Sequence, residues 1–138
     1  MAMMTTDGLD ELALGFEELS QLPDGLLDEM LQAEGEIIKD AQIATAQSML
    51  QGPYYAGGVA SGIKLGKTKR TRDGKSIYVT FEGTQHGNRI AEIAFINEFG
   101  KHNQPPRPFI QTANEQNAEA AVEAAAKIYD DFLNSKGF

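Results

Sequence analysis

Apolar residues recur at helical spacing along two long stretches of the chain. In the first stretch, from residue 24 to about residue 51, one face is apolar and the opposite face is polar or acidic. This period predicts an amphipathic helix, with Asp24 placed to cap its N-terminus. The second stretch predicts a long C-terminal helix over 108–134, favoured by the Ala-rich run 118–126. The apolar positions of the first helix are Leu27, Met30, Leu31, Ile37, Ile38, Ala41, Ala44, Met49 and Leu50, and those of the second are Phe109, Ala113, Val122, Ala125, Ile128, Tyr129, Phe132 and Leu133.

A shorter helix is predicted before the first long one. Leu9, Leu12, Phe16 and Leu19 share one helical face over 8–21, and Pro23 ends that pattern. These two helices make up a helical part, residues 1–51. A Gly-rich loop, residues 52–62, follows it and carries Tyr54 and Tyr55. We expect this loop to become ordered when it docks on a partner.

The middle of the chain has the pattern of an antiparallel sheet, residues 63–97. Two runs, 63–70 and 76–82, are strand-like, the second one alternates apolar and polar side chains, and Asp73-Gly74 between them is a typical hairpin turn. The run 89–97 is compatible with a third strand or with a short helix. Because it is short, lacks a helical cap and ends at a glycine, a strand is favoured.

A proline-rich elbow, residues 98–107, joins this region to the last helix. Gly100 can turn the chain at positive φ, whereas Pro105, Pro106 and Pro108 fix φ and remove amide donors. Pro108 stands where the first turn of a helix tolerates proline. The pattern as a whole predicts a single α+β domain: an antiparallel sheet of three or more strands, with the N-terminal helices and the long C-terminal helix packed on one face.

The elbow also carries a motif. An apolar run is followed by Glu98, Phe99 and Gly100, then by a short polar loop, then by Arg107, Pro108 and Phe109. In this motif and in its order of elements, the chain resembles the head-tail joining and tail-completion (neck) proteins of tailed bacteriophages and prophages. The resemblance implies a structural virion protein without enzymatic activity. It also implies a homo-oligomeric ring, usually sixfold, that contacts the connector and tail-tube proteins.

The same resemblance sets expectations for named residues. Phe95, Phe99 and Phe109 would anchor the elbow in the core, and Arg107 would fix it by hydrogen bonding to backbone carbonyls or to a helix acid. Such a protein would assemble in the host cytoplasm and end in the virion.

The charge is divided unevenly along the chain. The net charge is −8, and residues 1–50 hold eleven acids and one base. Half of all lysines and arginines instead lie in the basic hairpin, residues 64–75. Three interpretations stay open: a solvated hairpin tip, a contact with a neighbouring subunit's acidic helix, or a contact with DNA phosphates, as in a small nucleic-acid-binding regulator. The six cations of the basic hairpin are Lys64, Lys67, Lys69, Arg70, Arg72 and Lys75.

Residue types that support catalysis or metal binding are scarce. The chain has no cysteine, and its two histidines, His86 and His102, belong to no spaced ligand set. Gly66-Lys67-Thr68 matches only the end of a phosphate-binding loop, because its first glycine is missing. We therefore expect no cofactor and no metal site. No apolar run is long enough to predict a membrane span.

Overall fold

The computed structural model describes residues 23–50, 58–72 and 74–137. It mixes helices with short antiparallel strand pairs and ends in a long helix. The predicted helix 8–21 lies outside the described residues, and so do Tyr54 and Tyr55 of the predicted loop. In chain order the elements are α1 (Asp24–Met49), α2 (Gly58–Gly62), β1 (Ile63–Leu65), β2 (Lys69–Thr71), β3 (Gly74–Ser76), β4 (Val79–Phe81), β5 (Thr84–Gln85), β6 (Asn88–Arg89), α3 (Ile90–Phe99) and α4 (Phe109–Ser135).

The two long helices, α1 and α4, pack along each other, which confirms both helical predictions. The buried residues of α4 are Phe109, Ala113, Ala121 and Ala125, so its packed face is mostly alanine and allows a close approach. The amide Nε2 of Gln42 on α1 donates to Oδ1 of Asn114 on α4 at 2.9 Å. Two positions of the predicted apolar faces are wrong, because Ala44 of α1 is exposed and Val122 of α4 is 57% exposed.

The N-terminus of α1 differs from the expectation. Asp24 is the first helical residue, and Pro23 occupies the cap position without a side-chain hydrogen bond. The prediction that Asp24 caps this helix is therefore wrong. In the following segment, residues 58–62 of the predicted Gly/Tyr loop form the short helix α2.

The predicted hairpin is present, in two paired segments. β1 pairs antiparallel with β4, and β2 pairs antiparallel with β3. Between the segments, the Gly66 amide donates to the Tyr78 carbonyl at 2.9 Å, which keeps the strands together. Because Gly74 pairs with Thr71, it belongs to strand β3 and not to the turn that Asp73-Gly74 predicted.

A second, smaller hairpin follows where the sequence indicated only a polar loop. β5 and β6 pair antiparallel across a turn at His86 and Gly87, whose φ angles are 53° and 81°. Two successive positive φ angles are typical of the tight hairpin turn with the right-handed twist of strands. The described strands form three separate two-stranded pairs, so the predicted sheet of three or more strands is not formed among them.

The largest correction concerns residues 90–97, which belong to helix α3 and not to a strand. Ile90, Ala94 and Glu98 are buried at four-residue intervals, which is helical spacing. The helix needs no side-chain cap at Ile90, because the Ile90 amide donates to the Gly83 carbonyl at 2.9 Å. The isoleucines favour a strand by propensity, but packing against neighbouring elements overrides that weak preference.

The core lies where the C-terminal end of α1, helix α2, strand β1, helix α3 and the start of α4 converge. The backbone approaches closely there: a Cβ added at Gly62 would lie 2.5 Å from the Glu82 carbonyl oxygen. The elbow is therefore attached directly to the best-packed part of the molecule. The buried core residues are Ala46, Leu50, Val59, Ala60, Ile63, Ala94 and Phe109.

Candidate functional site

Glu98 is the residue that joins the elbow to the last helix. Its side chain is buried, with 6% of the residue exposed, and its carboxylate faces the N-terminus of α4. Oε1 accepts the Ile110 amide at 2.7 Å, and Oε2 accepts the Gln111 amide at 3.1 Å. A helix N-terminus has amides without intrahelical partners and a partial positive charge, so a carboxylate is well suited to it. Glu98 thus caps a helix that begins eleven residues further along the chain, at Phe109.

Gly100 ends α3 in a conformation that favours glycine. Its φ and ψ are 78° and 178°, as the sequence predicted for a positive-φ turn, and its amide donates to the Ile96 carbonyl at 2.7 Å. A Cβ at this position would lie 2.8 Å from the Gln104 carbonyl oxygen and 2.9 Å from the Pro106 nitrogen. Both neighbours are backbone atoms, so the elbow has little room to yield.

The end of the elbow is anchored by its backbone and by Phe109. The Arg107 amide donates to the Asn97 carbonyl at 2.6 Å, and Pro108 occupies the position just before α4. Phe109 is fully buried and meets Phe81 edge-on, with ring centroids 6.1 Å apart. The core role predicted for Phe109 is confirmed. Arg107 contributes a backbone hydrogen bond. The start of α4 is held by Glu98, to whose side chain the resemblance gave no role.

The other two phenylalanines do not anchor the core, which contradicts the expectation for them. Phe95 and Phe99 are 62% and 65% exposed, and their rings lie 4.8 Å apart on the outer face of α3. We call this pair the aromatic patch. Because residues 90, 94 and 98 of α3 face inwards, the helical period places 95 and 99 outwards. Because a strand was predicted for this run, the outward position of Phe95 and Phe99 was not expected.

A shallow groove borders the aromatic patch on each side. One groove, of about 460 Å³, is lined by Arg89, Ala91, Glu92, Phe95 and Ile96. The other, of about 370 Å³, is lined by Phe99 and the elbow residues 100–106. Exposed aromatic side chains next to such grooves are typical of protein-protein contact surfaces.

The basic hairpin lies on the surface and is attached to α1 through Lys75. The structure places Lys64, Lys67, Lys69, Arg70 and Arg72 in exposed positions. Lys75 instead is partly buried and forms an ion pair with Asp28, its Nζ lying 2.9 Å from Oδ1.

Asp28 also attaches the hairpin through a hydroxyl. Thr68 donates to the same oxygen of Asp28 at 2.8 Å. The hydrogen bonds from Lys75 and Thr68 hold the pKa of Asp28 below its ordinary value. The acid lies near the start of α1, so these contacts orient the hairpin relative to that helix. The sequence offered no signal for this pairing across forty residues.

Two further acid-base groups on α1 have shifted pKa values. Partial burial raises the pKa of Glu34. The pKa of Lys39 is raised by its hydrogen bond to Glu36, at 2.8 Å. Over residues 23–50, 58–72 and 74–137, no group of three or more histidines and acids is arranged to hold a metal ion. Within the same ranges, no helix has the length and apolar character needed to cross a membrane.

The structure therefore separates the predicted site residues into two groups. Gly100, Arg107, Pro108 and Phe109 form the elbow and its junction with α4, with the Phe99 ring turned outwards beside them, whereas the cations of the basic hairpin lie on strands β1 to β3 and the segments between them. Glu98 was missed as a site residue. The sequence held a usable signal for it, because the last helix has no cap residue of its own and a glutamate ends the apolar run before it. Comparisons of the chain with protein-family models, with curated proteins and with solved structures found no match.

Proposed function

We propose that this chain is a structural virion-assembly protein of a tailed phage or prophage. In this proposal it forms a homo-oligomeric ring, sixfold as is usual in the family it resembles, at the head-tail junction or the tail end. It contacts connector and tail-tube proteins, has no enzymatic activity, and passes from the host cytoplasm into the virion. The proposal rests on the resemblance of the elbow motif and on how its residues meet in the structure.

The observation that carries the proposal is the elbow itself. Two parts of the motif, 98–100 and 107–109, are separated by a loop in sequence and converge at the start of α4. Glu98 accepts two α4 amides, Gly100 provides a backbone shape that a side chain would obstruct, and Phe109 enters the core. Each of these three motif positions therefore has a structural role that depends on its residue type.

Two exposed features support a role in assembly. The aromatic patch and the basic hairpin lie on different elements and offer surfaces of different chemistry. In a ring, the basic hairpin would meet an acidic helix of the next subunit or line the passage for DNA. The sheet of three or more strands would then arise between subunits, by a neighbour's strand pairing with an edge of the β1-β4 pair.

Assembly can be tested directly. We expect size-exclusion chromatography with light scattering to show a discrete oligomer at high protein concentration, and negative-stain electron microscopy to show rings. Added tail tubes or connectors should recruit the protein to one end. A chain that stays monomeric at high concentration, and does not bind either partner, would refute the proposal.

The exposed cations also favour a second candidate, a small nucleic-acid-binding regulator. It predicts duplex binding that weakens with salt, with a slope of log affinity against log salt of about −0.9 for each phosphate neutralised. Replacing Lys67, Lys69, Arg70 and Arg72 by alanine should abolish that binding. Fluorescence anisotropy with labelled DNA separates the candidates, because the virion protein should bind DNA weakly and still assemble.

A further inference from the structure

The aromatic patch has a complementary surface on the same chain, on the outer face of α4. Ala118, Val122 and Ala126 are exposed at four-residue intervals, and Val122 is 57% exposed. An apolar line along a helix, open to solvent in one copy, has the shape that an exposed aromatic pair can cover. We call these three residues the α4 stripe.

The two surfaces differ in the sign of their net charge. Three exposed acids, Glu115, Glu119 and Glu123, form a row beside the α4 stripe, and exposed Lys127 ends that row one turn later. The aromatic patch is bordered by the exposed cations Arg89 and Lys101 and by one exposed acid, Glu92. Of these, Arg89 is already bonded to Glu92 on the adjoining helix, with Nη2 2.8 Å from Oε1. Lys101 is therefore the rim cation best placed to meet a second copy's acids. Opposite charges at the rim favour a contact between the patch and the stripe over a contact between two patches or two stripes.

The two surfaces cannot cover each other within one chain. Phe99 lies before the elbow and α4 begins at Phe109, so Val122 lies about 20 Å along the helix from that end, at about 1.5 Å per residue. The α4 helix is packed against α1, which prevents it from folding back. A contact between the aromatic patch and the α4 stripe must therefore join two molecules.

We propose that the aromatic patch of one copy docks on the α4 stripe of a second copy. Because the two surfaces differ, the contact is head-to-tail and can repeat from subunit to subunit until a ring closes. This inference rests on the proposed function in needing self-assembly, and it names the surfaces by which the ring is built. Phe95 and Phe99 supply the apolar anchors, and Lys101 pairs with Glu119 or Glu123.

Two complementary variants test the contact. Phe95→Ser/Phe99→Ser removes the patch and keeps the stripe, and Val122→Lys removes the stripe and keeps the patch. Each alone should lose oligomers, with self-association weakened by at least about tenfold. Mixed in equal amounts, they should form a dimer that grows no further, because only one intact patch and one intact stripe remain. Tyr78→Ser is the matched control, since Tyr78 is 58% exposed and belongs to neither surface.

Sedimentation velocity of the variants and of their mixture gives distinct outcomes. If Val122→Lys still forms dimers by itself, the patch pairs with another patch and the inference is overturned. The inference is also overturned if the wild type forms rings and both variants do so too, although the proposed function would then survive. Formation of the capped dimer, with wild-type rings that ignore tail tubes and connectors, would support the contact and refute the virion role. Circular dichroism of each variant establishes that loss of assembly is not loss of folding.

Discussion

Removing the Glu98 carboxylate should destabilise the chain far more than removing an exposed acid of the same helix. Glu98→Ala leaves the Ile110 and Gln111 amides, bonded at 2.7 and 3.1 Å, without their acceptors. An unsatisfied donor costs about 1–3 kcal/mol, and the lost charge at a helix N-terminus adds roughly 0.3–1 kcal/mol. Since both bonds are only partly buried, water will replace some of the loss. We expect the free energy of unfolding to fall by about 2–4 kcal/mol.

The matched control is Glu92→Ala. Glu92 lies on the same helix and makes an exposed ion pair with Arg89, at 2.8 Å, so its loss should cost at most about 1 kcal/mol. Urea unfolding followed by far-ultraviolet circular dichroism, at a concentration where assembly is absent, measures both. With a denaturant slope of about 1–3 kcal/mol per molar, the Glu98 variant should unfold at a urea concentration roughly 0.7–4 M lower.

Glu98→Gln refines the comparison. The glutamine keeps the shape of the side chain but offers one acceptor oxygen and turns an NH₂ group towards the other amide. Its cost should therefore fall between those of Glu98→Ala and the control. If Glu98→Ala and Glu92→Ala unfold within about 0.5 kcal/mol of each other, the carboxylate does not hold α4, and the elbow motif loses its main physical support.

Three further predictions concern the backbone and the basic hairpin. Gly100→Ala should destabilise by about 2–3 kcal/mol, since it has a positive φ and its Cβ meets backbone atoms at 2.8 and 2.9 Å. Gly87→Ala, at φ 81° with open space around it, should cost only about 1 kcal/mol, so equal costs in urea unfolding would contradict this. In thermal unfolding, Gly25→Ala should stabilise α1 by about 0.5–1 kcal/mol. Gly35→Ala should stabilise it less, because its Cβ would lie 2.5 Å from the Leu65 side chain, which has to move; the reverse order would be inconsistent with the packing. The pKa of Asp28 is lowered in the folded state, so its carboxylate contributes stability above the ordinary pKa of 3.8, and this stability is lost as pH falls through the folded-state pKa. Asp28→Asn should therefore be less stable than wild type at neutral pH and equally stable in acid. A difference in the urea midpoint that does not change with pH would argue against the ion pair.

The long helices were predictable because their information is local. An apolar face at helical spacing, repeated over many turns, needs no knowledge of partners, and both α1 and α4 follow it. The hairpin was predictable for the same reason, from two strand-like runs on either side of a turn dipeptide, although Gly74 of that dipeptide belongs to a strand.

Helix α3 was not predictable in this way, because the deciding contacts are distant in sequence. Its isoleucines favour a strand locally, but the buried line Ile90, Ala94 and Glu98 exists only once the core and α4 are in place. The wrong strand then led to a wrong location for Phe95 and Phe99. The Asp28 pairing with the hairpin was hidden likewise, since no pattern in a single chain links positions so far apart.

The pairing of α1 with α4 also dictates an order of events during synthesis. The ribosome completes α1 long before α4, and residues 50–108 emerge between them. The nascent hairpins can form early, since each joins neighbouring segments within microseconds. The α1 surface that α4 covers in the native fold stays uncovered by α4 until the last helix has been synthesised. Phe109 therefore joins the core late, and the chain reaches its native packing only after most of it has been translated.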